Sequence, residues 1–126
     1  MSKRDDLSGF IDFGVRIQGE LIFQNTFRID GKFHGSIRSD DLLIIGDRAQ
    51  VDAEIDVGAI SVSGLVKGKI IARERLEVQR GGRVLADVST PSLFIEEGGV
   101  LQGSCAIERS ANLHQPTEWK VEKETR

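Results

Sequence analysis

The stretch Ile60 to Ile70 reads ISVSGLVKGKI. Its even positions are apolar or glycine (Ile60, Val62, Gly64, Val66, Gly68, Ile70), while its odd positions hold Ser61, Ser63, Leu65, Lys67 and Lys69. That is a period of two, the mark of a strand. Drawn straight at roughly 3.3 Å per residue, the stretch would span about 36 Å, nearly twice the usual strand of a small domain. Two short strands joined at a corner remove the excess. A glycine in the inward register then fits a bend that leaves no room for a side chain.

Outward from this stretch, one five-residue phrase recurs: apolar-x-small-x-apolar. It appears as IQGEL (17 to 21), FHGSI (33 to 37), VDAEI (51 to 55), VKGKI (66 to 70), VLADV (84 to 88) and LQGSC (101 to 105). The central small residues Gly19, Gly35, Ala53, Gly68, Ala86 and Gly103 lie 15 to 18 residues apart. A second phrase interleaves, with the apolar pairs Phe27 and Ile29, Leu42 and Ile44, Ile60 and Val62, Leu76 and Val78, Leu93 and Ile95. Copies at a near-constant period with strand alternation predict an all-β, single-domain β-solenoid of about six coils. Coils stacked at roughly 4.8 Å make a rod on the order of 29 Å long. A β-sandwich of hairpins competes poorly, because hairpins have no reason to repeat one phrase along the chain. Glycine clusters in IGDRA, QRGGR and EEGGV sit where such a chain must turn.

Composition sets the outer bounds. One domain is the default for 126 residues, and 14 Gly against 2 Pro makes the chain glycine-rich without low complexity. Seventeen basic and 20 acidic residues give a net charge of -3, so no overall field favours nucleic acid as a partner. Cys105 stands alone, which excludes an internal disulfide and suits a reducing compartment. The longest aliphatic run, LLII at 42 to 45, is far too short for a membrane span, and MSKRDDLSGF lacks the apolar core of a secretory signal. A cytoplasmic chain is the reading that remains. The pattern assigns residues 1–13 to a flexible leader, 14–107 to the solenoid domain and 108–126 to a flexible tail, polar and free of repeat phrases.

A search for chemistry returns little. Solenoid acyltransferases use a histidine as general base, and solenoid carbonic anhydrases need three around zinc. Here there are two: His34, in the outward register of FHGSI, and His114 in the tail. Gly68-Lys69 is followed by Ile70 instead of Ser or Thr, and no helical pattern follows, so it is no phosphate loop. The GGxGxD calcium motif is missing. Cys105 takes the last inward place of the sixth phrase, a position of burial more than of reactivity. No catalytic, metal or nucleotide-binding residue and no cofactor is assigned.

The ends of the stack carry the functional argument. Inner coils pair their backbone above and below, whereas the first and last leave open rows of N–H and C=O groups. No amphipathic capping helix is legible at either end. The last coil, SLFIEEGGVLQGSC, keeps Leu93, Ile95, Leu101 and Cys105 in the inward register with no seventh coil to cover them. Another copy of the chain is the simplest cover, and repeated use of both ends builds a filament. The expected contact residues are Leu93, Phe94, Ile95, Val100 and Leu101 at the C-terminal coil and Val15, Ile17 and Leu21 at the N-terminal one. On this reading Leu101→Arg puts a charge into the joint.

The progression RIDGKFHGSI, LLIIGDRAQVDAEI, ISVSGLVKGKIIARERLEV, LFIEEGGVLQG resembles the bactofilin family of bacterial cytoskeletal proteins over about residues 15 to 107. The resemblance implies a right-handed parallel β-helix that polymerises into filaments without nucleotide, often at the inner face of the cytoplasmic membrane. It further implies a scaffold positioning cell-wall, cell-shape or polarity proteins. Family members commonly carry an aromatic residue in the last-coil phrase, where this chain has Leu101. They often have a short membrane-binding N-terminal peptide, for which the local candidates are Met1, Lys3, Arg4, Leu7 and Phe10; Asp5 and Asp6 offset the two cations, so one copy adsorbs weakly. Two other readings stay open: a solenoid acyltransferase with its site between subunits, and a discrete peptide- or glycan-binding module.

Overall fold

The computed structural model describes residues 7–107 and shows eleven strands with no helix among them. In chain order they are β1 (Leu7–Ile11), β2 (Arg16–Ile22), β3 (Thr26–Ile29), β4 (Lys32–Arg38), β5 (Leu42–Ile45), β6 (Gln50–Val62), β7 (Leu65–Val78), β8 (Arg83–Thr90), β9 (Leu93–Ile95), β10 (Val100–Gln102) and β11 (Cys105–Ile107). Every pairing is parallel. Two ladders result. The first runs β2, β4, β6, β7, β8, then β10 with β11; the second runs β1, β3, β5, β6, β7, β9. The long strands β6 and β7 pass through both ladders, so each coil lays one segment on each and the chain winds as a solenoid of about six turns.

The repeated phrases stack in register. Gly19 lies opposite Gly35, Gly35 opposite Ala53, Ala53 opposite Gly68 and Gly68 opposite Ala86. Inward columns form on either side of them, Phe33, Val51, Val66, Val84 and Leu101 in one and Ile37, Ile55, Ile70, Val88 and Cys105 in the other, all buried. On the second ladder Phe27, Leu43, Ile60 and Leu76 make a column, with Ile29, Ile45, Val62 and Val78 beside it. Full burial of each such side chain contributes roughly 1.5–3 kcal/mol, which explains why the period is kept along the array.

In the decisive stretch the corner falls at Ser63 and Gly64, between β6 and β7. The glycine of VKGKI is required for a different reason from the one the sequence suggests. Gly68 has φ of 115°, and a Cβ there would strike the Ala53 carbonyl oxygen of the preceding coil. Close axial stacking excludes the side chain, not crowding inside the bend. The glycine clusters close turns as expected: Ala49 N–H donates to Gly46 O at 3.1 Å, Gly82 N–H to Gln79 O at 2.9 Å and Gly99 N–H to Glu96 O at 2.8 Å. Hydrogen bonds between coils continue through the corners, as from Gly46 N to Ile29 O, Ser63 N to Ile45 O and Gln79 N to Val62 O, each 2.8 Å.

Two features differ from the sequence reading. In LLII the buried residues are Leu43 and Ile45, while Leu42 and Ile44 are half-buried in the outward register. Four aliphatics in a row hide their own alternation, and the register is set by stacking on Phe27 and Ile29. The sheet also begins at Leu7, inside the segment assigned to a leader: β1 pairs with β3, and Ile11 is 4% exposed. Five residues, LSGFI, are too few to display a period. Residues 1–6 and 108–126, hence the first six residues of the leader and the whole tail, lie outside the described residues.

Candidate assembly surfaces

At the N-terminal end β1 and β2 each pair on one edge only, with β3 and β4 respectively. At the C-terminal end β9 pairs only with β7, and β10 and β11 only with β8. Among the described residues each end therefore presents unpaired strand edges, the arrangement that recruits further strands.

Large apolar side chains are exposed at these same places. Among the described residues they are Phe10 (51%), Phe13 (60%), Val15 (42%), Ile17 (39%) and Ile22 (67%) near the N-terminal end, and Phe94 (57%) and Val100 (38%) near the C-terminal end. The coils between contribute none. Phe10 and Phe94 cap opposite ends of one outward column that runs through Arg28, Ile44, Ser61 and Glu77. Phe13 packs under the Arg48 guanidinium, 4.6 Å from its ring centroid.

Of the residues expected at the N-terminal contact, Val15 and Ile17 are exposed and Leu21 is half-buried against the core. At the other end Phe94 and Val100 are exposed, and Leu93 and Ile95 are half-buried, packed on the core. Leu101 is the correction. It is 2% exposed and belongs to the core, as does Cys105 at 3%. Leu93, Ile95 and Ile107 pack against that same core. An arginine at Leu101 would damage the fold before it tested any joint; the aromatic residue presented at this end is Phe94. Phe10, Phe13 and Ile22 were absent from the expected contacts. The signal for Ile22 was available, since it follows inward Leu21 in an alternating strand and must face out.

Of the candidate membrane residues, Met1, Lys3 and Arg4 fall outside the described residues, Leu7 opens β1, and Phe10 stands exposed on it. No helix among the described residues is long and apolar enough to cross a membrane.

The long sides are polar. Arg73 ties a corner together, with Nη2 donating to Asp40 Oδ1 at 2.7 Å and to Ser39 O at 2.6 Å and Nη1 paired with Asp56. Arg28 Nε donates to Asp30 Oδ2 at 2.8 Å; that bond, with the charges of Asp30 and Asp47, holds the guanidinium above its ordinary pKa. His34 points outward with Nδ1 3.9 Å from Asp52 Oδ2, beyond hydrogen-bond reach, and His114 is outside the described residues. No group of three or more His, Cys, Asp or Glu among the described residues could hold a metal ion.

Comparison with known proteins agrees with this geometry. The family model described as bactofilin, polymer-forming cytoskeletal, matches residues 9–106. The chain is 27% identical over 94 residues to bactofilin BacO of Myxococcus xanthus (strain DK1622), covering 75% of each chain. It is 30% identical over 89 residues to bactofilin BacP of the same organism, covering 71% of this chain and 37% of that one. No solved structure gives a significant match. A match of 98 consecutive residues, from the middle of β1 into β11, spans the stacked sheet almost end to end, and the chain belongs to the bactofilin family of polymer-forming cytoskeletal proteins.

Proposed function

We propose that this protein is a structural scaffold whose subunits stack end to end into filaments without nucleotide, and whose sides position other proteins, such as cell-wall, cell-shape or polarity factors. One observation carries the reading: among the described residues, large exposed apolar side chains occur only near the two ends of the stack, where the strand edges are also unpaired. Joining ends removes both liabilities together, pairing main-chain groups and taking apolar surface from water. A two-ended subunit that does this repeatedly gives an open polymer.

The test uses exposed positions. Phe94→Arg and Ile17→Arg, each purified without nucleotide, are expected to give small soluble particles in sedimentation velocity, with the β-rich circular dichroism of the parent. The parent is expected to pellet and to show rods in negative stain. Normal polymerisation of both variants would remove the ends from the assembly mechanism.

A further inference from the structure

Away from the ends, one long side is electrostatically lopsided. In the first ladder Arg16, Lys32, Gln50, Leu65 and Arg83 stack in one outward column, and Gln18, His34, Asp52, Lys67 and Leu85 stack in the next. Asp52 is the one acid in the two columns. Arg16, Lys32, Lys67 and Arg83 are all exposed, and none joins an ion pair among the described residues. Arg28, Arg73 and Arg75, by contrast, are each paired with a carboxylate. Four exposed cations outside any ion pair are therefore gathered on one side with a single acid, Asp52, in their columns.

The two columns border a shallow groove of about 380 Å³. Away from the end contact that takes Ile17, Leu65 gives it apolar surface, Arg16, Lys32 and Lys67 supply charge with Asp52 the one carboxylate among them, and Gln18 and Gln50 contribute amides. We infer that this groove docks an extended acidic peptide segment of a partner protein, with carboxylates on the lysines and arginine, alternate apolar side chains on Leu65, and main-chain groups bonded by the glutamines. The mixture selects the occupant. A nucleic acid backbone would use the cations but not Leu65, and the vesicle arm of the test below sets a bilayer apart. The inference rests on the scaffold reading, for it names how one side of the filament would hold its clients. Stacking would repeat the groove once per subunit, at roughly 29 Å intervals, and so add avidity.

The test is fluorescence anisotropy with the full-length polymer and a labelled eight-residue peptide of alternating Glu and Leu. We expect Lys32→Glu combined with Lys67→Glu to weaken binding about tenfold or more, and salt raised from about 0.1 M to about 0.5 M to weaken it similarly. Lys69→Glu, one column beyond the glycine column, should stay within about twofold. A Lys–Leu peptide should not bind. Unchanged affinity in the double variant, or equal binding of the Lys–Leu peptide, overturns the proposal. So does charge-dependent binding of phosphatidylglycerol vesicles or duplex DNA without binding of the Glu–Leu peptide. Sedimentation of the same samples separates the two readings: a polymer that ignores the peptide fails the groove alone, and a peptide-binding protein that never polymerises fails the scaffold alone.

Discussion

At the residue scale, glycine is the sharpest constraint, and two positions separate its two uses. Gly35 and Gly14 both have positive φ, 142° and 97°. A Cβ at Gly35 would collide with the Gly19 carbonyl, whereas one at Gly14 meets nothing within 4 Å. Both alanine substitutions carry backbone strain of order 1–3 kcal/mol, and only Gly35→Ala adds a clash with backbone that cannot move. Urea denaturation in the Phe94→Arg background, where assembly does not contribute, should therefore show Gly35→Ala the less stable by at least about 2 kcal/mol. Equal midpoints would mean that the coils can part to admit a methyl group. Ala53 and Ala86 occupy the same stacked column without positive φ, so the small residue is enforced coil by coil and not by the column as such.

At the scale of the element, register is the quantity at stake. β5 reads LLII and could present either pair inward; pairing with β3 chooses Leu43 and Ile45. Ile45→Ala should then cost about 2–5 kcal/mol and Ile44→Ala about 1 kcal/mol or less, measured by the same denaturation. The reverse order would shift β5 by one residue and turn its faces over. Elsewhere the strands declared themselves. VDAEI, VKGKI and VLADV each place a polar residue between apolar ones, so their inward faces were legible before any stacking was known. LSGFI was not, because a short strand mixing Ser and Gly with Phe and Ile carries no readable period, and its membership in the sheet rests on β3 lying next to it.

The whole molecule is a stack with polar sides and apolar ends, and its assembly follows from that distribution. If filaments grow by continuing the stack, their strands run across the filament axis. Fibre diffraction from aligned filaments should then give a meridional reflection near 4.8 Å, the strand spacing. A 4.8 Å reflection on the equator would show subunits joined side by side and would reassign the apolar ends to another role. The ends themselves were partly legible from sequence. Open edges were expected there because no capping helix is legible, and the exposure of Val15, Ile17, Phe94 and Val100 follows from their places in the terminal coils. Leu101 did not, since alternation tells which way a side chain points and not whether its own coil covers it.

The sequence by itself determined the architecture: a repeat that recurs every 15 to 18 residues with a small residue at its centre can bury its apolar face only by stacking copies of itself. Tertiary structure alone decided which of several adjacent aliphatics faces inward, that Leu7–Ile11 joins the sheet, that Leu101 belongs to the core, and that free cations from separate coils border one groove. Those outcomes depend on coils that are neighbours in space and 15 to 18 residues apart in the chain, and local alternation carries no information about what lies across that distance.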